Sequence, residues 1–392
     1  MKEYIKNGFK LDLFYGILHA LIAFTSITVV ATISGIPLTN AFLFAGIGTL
    51  ILKLITKGHG IPIVFGCSGS YIGAMLAVGS IYGSQYVQGG IISAGIIYLI
   101  IGLLMLKFQD KILNIIPKWI LNVSVILIAL NLLPIGTSLI GENIIVAVVT
   151  IACLILFNRT KNPKVKMFAV PLSILLGTIY VGITNGLDFS VLSQELNFVF
   201  NIPKFNIPTV TMIGITCFCT LGEVFGDTSN TSAIVGKDFI GNKQLAKIVI
   251  SNGVATMVSG AGNGMPSTSY GENSSLLLIT KYFKPTAQII TGITFILLSL
   301  FTPLLKIFML IPSSVLGAVA MYLYATFCIN SIKELSLNAD LNNSKQFTII
   351  AVMIAIFFTN VIIQGVQISS IGLAFIVGIV LNKLMKDRKE TV

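Results

Sequence analysis

Apolar runs of about 20 residues, long enough to cross a bilayer as a helix, follow one another along almost the whole chain with short polar stretches between them. The pattern predicts an all-α polytopic membrane protein of roughly fourteen transmembrane segments. Their centres lie near residues 22, 48, 72, 96, 125, 150, 176, 220, 254, 274, 295, 318, 355 and 376. Two segments, the third and the tenth, are interrupted. In GHGIPIVFGCSGSYIGAMLAV, around Pro62 and Gly69, and in GNGMPSTSYGENSSLLLIT, around Pro266 and Glu272, Gly, Pro and Ser break the apolar run. An unpaired backbone N–H or C=O costs several kcal/mol in hydrocarbon, so such backbone persists at membrane depth only where protein or a water-filled cavity satisfies it. Each interruption is expected to form a short extended stretch followed by a half-helix, whose N-terminal N–H groups can donate to a bound solute. Paired breaks of this kind point to a transporter's binding site.

The polar stretch from Asn185 to Pro208 separates the first seven segments from the last seven. Seven is odd, so the second half enters the membrane in the opposite sense, giving a 7+7 inverted repeat in which each break is the third segment of its half. The local patterns nearly superimpose: Pro62 precedes Gly66 by four positions and Pro266 precedes Gly271 by five.

Composition supports the membrane reading, with 55% of residues hydrophobic and 10% charged and a mean hydropathy of +0.94, far from the balance of soluble domains. The first segment begins beyond Lys10 without a small-residue cleavage site after it, which argues against a removed signal peptide. Of the 25 Lys and Arg residues, all except Lys204 and Lys306 fall on one side of the expected topology. The positive-inside rule then puts both termini in the cytoplasm of a multi-pass cell-membrane protein. The net charge of +11 consequently reads as topology and contact with anionic membrane lipid, not as nucleic-acid binding. Five cysteines, Cys67, Cys153, Cys217, Cys219 and Cys328, sit in apolar stretches, where an odd, scattered set fits packing better than disulfides or zinc. With His19 and His59 the two histidines and no metal-ligand spacing, neither an enzyme nor a metal or other cofactor is expected. A phosphate-binding loop of the G-x-x-x-x-G-K-[ST] kind is also absent from the sequence, which disfavours an ATP-driven pump.

Of fourteen acidic residues, Glu223, Asp227 and Glu272 stand out as lying within apolar segments. A charged side chain at the midplane costs at least ~2.5 kcal/mol on insertion scales, so such residues usually face a bundle interior or a cavity. Glu223 and Asp227, in TLGEVFGDTSNTS, are four apart and share a helical face. Two like charges so close push at least one proton affinity upward, which suits proton coupling; the bland alternative is a permanently neutral pair that joins helices. Glu272 sits at the second break, where a helix N-terminus favours its anionic, acceptor form; capping that half-helix is the alternative role. The second GEN triplet, Gly141 to Asn143, lies at a segment boundary and reads as coincidence.

These motifs resemble the nucleobase:cation symporter family, also called nucleobase–ascorbate transporters, which includes uracil and xanthine permeases. The resemblance is carried by GEVFGD at Gly222 to Asp227, KDF at Lys237 to Phe239, SNGVATMVSGAGNGMPSTSYGEN at Ser251 to Asn273 and IPSSVLGAVAMYLY at Ile311 to Tyr324. It continues more loosely through LHALIAF around His19, FAGIGTL at Phe44 to Leu50 and IPIVFGCSGSYI at Ile61 to Ile72. The resemblance implies a core domain from residues 1–106 and 209–306, a gate domain from 107–185 and 307–386, and substrate between them. It implies a homodimer that imports a nucleobase with protons, sodium being the alternative coupling ion. Glu223 and Glu272 would accept from ring N–H groups, the backbone near Gly69 and Gly271 would meet ring carbonyls, and Ser70, Tyr71 and Tyr324 complete the candidate substrate set. Glu223, Asp227 and His19 form the candidate proton-coupling set, with His19 in a supporting position.

Two positions depart from the family pattern. Uracil permeases of the best-known type carry His in place of Asp227, whereas Asp occurs in xanthine-type members and in some other members with the GEN sequence; purine-type members, conversely, typically carry Gln in place of Glu272. An acceptor-only Glu272 at the break suits a ring N–H and tilts the expectation toward uracil over xanthine or another purine. Gly69 replaces a Phe that stacks on the ring in many relatives, and Tyr71 is the aromatic nearby. An anion transporter or channel of similar architecture is the rival class, opposed by Glu272 and by the lack of a midplane Lys or Arg.

Overall fold

The computed structural model describes residues 2–57, 60–141, 143–359, 362–363, 366–367 and 370–385, with backbone alone at a few of these, Glu272 among them. His59 and Glu142 lie outside the described residues. The apolar runs form helices. In the first half these are α1 (Lys2–Ser34), α2 (Leu38–Ile55), α3 (Ile72–Tyr82), α4 (Ser84–Ile115), α5 (Lys118–Ile140), α6 (Ile144–Arg159), α7 (Pro163–Met167) and α8 (Ala169–Thr184). Strand β1 (Phe65–Cys67) and a 3-10 turn (Gly69–Tyr71) lead into α3. In the second half, α9 (Ile207–Thr209) and a π turn (Val210–Gly214) run into α10 (Thr216–Val235), followed by α11 (Gln244–Ala261), β2 (Ser267–Ser269), α12 (Gly271–Thr280), α13 (Pro285–Leu300) and α14 (Thr302–Met309). Helices α15 (Ser313–Asn338), α16 (Ser344–Phe357) and α17 (Ser370–Leu384) complete the chain, with a small hairpin of β3 (Ile362–Ile363) and β4 (Val366–Gln367) before α17.

Among the described residues six helices are long and apolar enough to cross a membrane: Gly8–Ser34, Leu38–Ile55, Ser84–Ile112, Lys118–Ile140, Ile207–Val235 and Ser313–Asn338. The bent pair α13 and α14, which meet at 79°, makes a seventh if counted as one span, and five shorter apolar helices accompany them. Proline sets several boundaries. Pro37, Pro117 and Pro312 immediately precede α2, α5 and α15 in extended backbone, where a missing N–H costs nothing because the first helical N–H groups have no partner. Gly236 ends α10 at φ +71°, and its N–H and that of Lys237 both return to the Ser232 carbonyl, at 2.9 and 3.2 Å. Only glycine takes this left-handed position without strain.

Helix α15 packs along α5, and α6, α8, α16 and α17 gather around that pair; α11 packs along α4, and α13 along α2 and α1. Small residues make these approaches possible. A Cβ on Gly317 would lie 2.7 Å from the Gly136 carbonyl, joining α15 to α5. In lipid, where apolar tails compete equally for apolar surface, close van der Waals packing is what holds helices together. Two unusual features sit inside this helical mass: the strands β1 and β2, which pair with each other.

Candidate functional site

The two breaks meet as an antiparallel pair with Phe65 opposite Ser269, Gly66 opposite Thr268 and Cys67 opposite Ser267. Ser68 N–H to the Pro266 carbonyl (2.8 Å) and Tyr270 N–H to the Val64 carbonyl (3.1 Å) extend the ladder at both ends. Pro62 and Pro266 supply the interruption, since neither can donate to a helix. The remaining backbone groups are met by flanking helices. Thr49 of α2 donates to the Phe65 carbonyl (3.0 Å) and accepts from its N–H (3.1 Å); Thr256 of α11 accepts from the Ser267 N–H (3.1 Å). Ahead of each strand another side chain holds a carbonyl: Lys53 Nζ donates to Ile61 (2.5 Å) and Ile63 (2.7 Å), and Ser259 Oγ donates to Met265 (2.5 Å). The Tyr270 hydroxyl closes the centre by accepting from the Cys67 N–H (2.9 Å) and donating to its carbonyl (3.0 Å). Its ring covers Gly66, where any Cβ would come within 2.3 Å of ring carbon.

Helix α10 presents its acids to these strands. Glu223 accepts from Ser70 Oγ in a very short contact at Oε1, and from Thr268 Oγ1 at 3.3 Å at Oε2. One carboxylate thus binds a hydroxyl from each break. Asp227, one turn on, accepts from Ser269 Oγ at 2.6 Å, and a Cβ at Gly271 would stand 3.0 Å from its Oδ1. Both acids are half-buried.

Gly69, Ser70, Glu223, Asp227, Gly271 and Tyr324 therefore form one connected constellation. Tyr324, on α15, brings its ring edge to 3.9 Å from the position a Gly69 Cβ would take. Its hydroxyl is buried without a hydrogen-bond partner among the described residues, which in a low-dielectric interior calls for one. Glu272 is the second residue of α12, directly after Gly271; its side chain lies outside the described residues.

Two candidates sit elsewhere. Tyr71, read from the sequence as a possible aromatic face, is wholly buried and its hydroxyl lies 3.3 Å from Thr220 Oγ1. His19 is buried in its own polar group: Asn273 Nδ2 donates to Nδ1 at 3.1 Å, and the Gln288 amide lies 3.5 Å from Nε2. Nδ1 accepts from Asn273, since an amide nitrogen only donates. His19 thus supports the half-helix that carries Glu272. Sequence reasoning missed the hydroxyl donors Thr268 and Ser269, although PSTSY was on view, and it counted Lys53 only as a topogenic charge.

Comparison with known proteins decides the class. The chain matches the xanthine/uracil permease model, described as Permease family, over residues 11–368. It belongs to that family. The uracil permease of Bacillus subtilis (strain 168) is 30% identical over 412 residues, covering 96% of this chain and 93% of its own. The xanthine permease of the same organism is 25% identical over 382 residues, covering 88% and 85%. Among solved structures, the transmembrane domain of a cyanobacterium bicarbonate transporter, BicA, superposes with a TM-score of 0.63 at 14% identity over 94% of this permease and 96% of that chain. That likeness concerns the fold. Family membership makes the chain a multi-pass membrane transporter rather than an enzyme.

Proposed function

We propose that this permease imports a nucleobase, uracil in the first place, by proton symport with alternating access. The observation that carries the reading is Glu223, whose carboxylate is bonded to Ser70 of one break and Thr268 of the other. Uracil is neutral and planar and alternates N–H donors with C=O acceptors; carboxylates beside two half-helix N-termini complement that edge. In this reading Glu223 and Glu272 accept from ring N–H groups, and backbone N–H groups near Gly69 and Gly271 meet ring carbonyls. Tyr324, rather than Tyr71, whose hydroxyl is engaged by Thr220, closes over the ring from the gate side. Asp227, with Glu223, is the candidate proton carrier, and His19 acts through Asn273.

The two packed groups support a core of residues 1–106 and 209–306 working against a gate of 107–185 and 307–386, since α1, α2, α4, α11 and α13 contact one another and α5, α6, α8, α15, α16 and α17 form the other set. The matched supports of the breaks, Thr49 with Thr256 and Lys53 with Ser259, favour a 7+7 inverted repeat of about fourteen crossings, β1 with α3 and β2 with α12 being the broken ones. Cytoplasmic termini, the cell membrane and a homodimer complete the proposal. Xanthine is the second reading, favoured by the open space at Gly69, where a Cβ would meet nothing closer than 3.7 Å. An anion carrier is disfavoured because both breaks face carboxylate.

Uptake of labelled uracil and xanthine into transporter-deficient cells tests this directly. Uracil should accumulate, a protonophore should abolish accumulation, and Glu223→Gln and Glu272→Gln should each lower uptake at least about thirtyfold, the cost of a charge-assisted bond lost from a desolvated site. Accumulation that survives the protonophore and follows a sodium gradient overturns proton coupling, and full uptake by both variants overturns the site.

A further inference from the structure

One turn before Glu223, α10 carries Thr220, a fully buried hydroxyl within an apolar stretch. Its Oγ1 donates to the Cys217 carbonyl at 3.1 Å. A threonine hydroxyl has one hydrogen, so at its other contacts Oγ1 accepts. Those contacts are the hydroxyl of Tyr71, at 3.3 Å, and the hydroxyl of Tyr98 on α4, in a very short bond. Both tyrosines are wholly buried. Two tyrosine hydroxyls from two other elements thus converge on the Thr220 oxygen, with its hydrogen and both lone pairs in use.

The sequence neighbours sharpen the point. Ser70 and Tyr71 are adjacent, and they bond Glu223 and Thr220, which are three apart on one face of α10. The 3-10 turn is therefore fastened to α10 at two places one helical turn apart, while Tyr98 braces the same spot from α4. Packing alone would be served by Leu or Phe. Hydroxyls buried at low dielectric add direction, because a bond here is both strong and costly to leave unmade.

We propose that Tyr98, Thr220 and Tyr71 form a positioning unit that locks the first break to α10 and aims the Glu223 carboxylate through Ser70. The unit acts through Glu223 rather than by touching solute, and it rests on the reading of Glu223 as a substrate ligand.

The test compares Thr220→Val, which keeps the shape and removes the hydroxyl, Thr220→Ser, which restores it, and Tyr98→Phe, with Glu223→Gln as reference. Initial rates of labelled uracil uptake give KM and Vmax, normalised to folded transporter by size-exclusion chromatography. Thr220→Val should raise KM roughly tenfold and Tyr98→Phe roughly threefold, the scale of one misplaced buried hydrogen bond, with Vmax per folded molecule within about twofold and Thr220→Ser near the parent. Thr220→Val with the parent KM overturns the proposal, as does Thr220→Ser as impaired as Thr220→Val. Should Thr220→Val fail to fold, Tyr98→Phe decides: an unchanged KM overturns the proposal and a raised one supports it. Parent-like uptake by Glu223→Gln would remove the site reading, and the positioning role with it; loss in Glu223→Gln with a parent KM in the other variants removes the positioning role alone.

Discussion

The first break and the second are built on one plan and carry different chemistry. Each has a proline-interrupted approach, a three-residue strand, a threonine from the preceding helix on that strand, and a side chain holding a carbonyl ahead of it. The first is held by an ammonium, Lys53, on two carbonyls, whereas the second uses a neutral hydroxyl, Ser259, on one. Toward the acids of α10 the contrast reverses. The first offers Ser70 and an open Gly69; the second offers Thr268, Ser269 and a tight Gly271 to the acids of α10. The lesson is that symmetry in such a scaffold lies in how backbone is satisfied, while the hydroxyls given to the α10 acids are concentrated on one side of it.

The sharpest way to break the comparison is at the supports. Lys53→Met leaves two buried carbonyls without donors, at about 1 to 3 kcal/mol each, partly offset by relief of a desolvated ammonium. A net loss of about 2 kcal/mol is expected, against about 1 kcal/mol for Ser259→Ala, read as thermal unfolding in detergent. Equal shifts would mean that Lys53 contributes no more than a hydroxyl does.

Next come the glycines. In Gly271→Ala the new methyl stands 3.0 Å from Asp227 Oδ1 and must shift the carboxylate by a few tenths of an ångström, whereas in Gly69→Ala it finds only Val30 at 3.7 Å and Tyr324 at 3.9 Å. Gly271→Ala should raise KM for uptake roughly tenfold and Gly69→Ala by less than about threefold. The reverse order would place the sensitive side of the site at the first break.

The smallest effect is expected at Tyr324→Phe. Removing a buried hydroxyl that has no protein partner among the described residues should leave thermal stability unchanged or slightly higher. Uptake affinity should nevertheless fall about threefold if the hydroxyl serves the solute. A stability loss without a change in KM would assign that hydroxyl to the fold.

The positions of both breaks could be read from the sequence because Gly, Pro and Ser in a hydrophobic run have few explanations in a membrane. The acids of α10 were equally legible, since Glu223 and Asp227 stand out against apolar neighbours. Their partners were not. Ser70, Thr268 and Ser269 are ordinary residues of a polar break until tertiary pairing aims them, and β1 and β2 are too short and too far apart in sequence to announce an alliance. Tyr71 looked like a free aromatic face because sequence gives no side-chain direction at a helix entry. Lys53 was hidden by its neighbourhood, being one of many lysines at helix ends, although its ammonium turns inward to the first break.

The β1–β2 pairing also has a consequence in time. Cys67 and Tyr270 are joined across 203 positions of chain, and at ribosomal rates of about 5 to 20 residues per second that distance takes about 10 to 40 s to synthesise. Throughout that interval the first break has been made and the strand that completes its hydrogen bonds has not. The first half of this permease is therefore an unfinished fold at the membrane, and its completion waits on translation of the second.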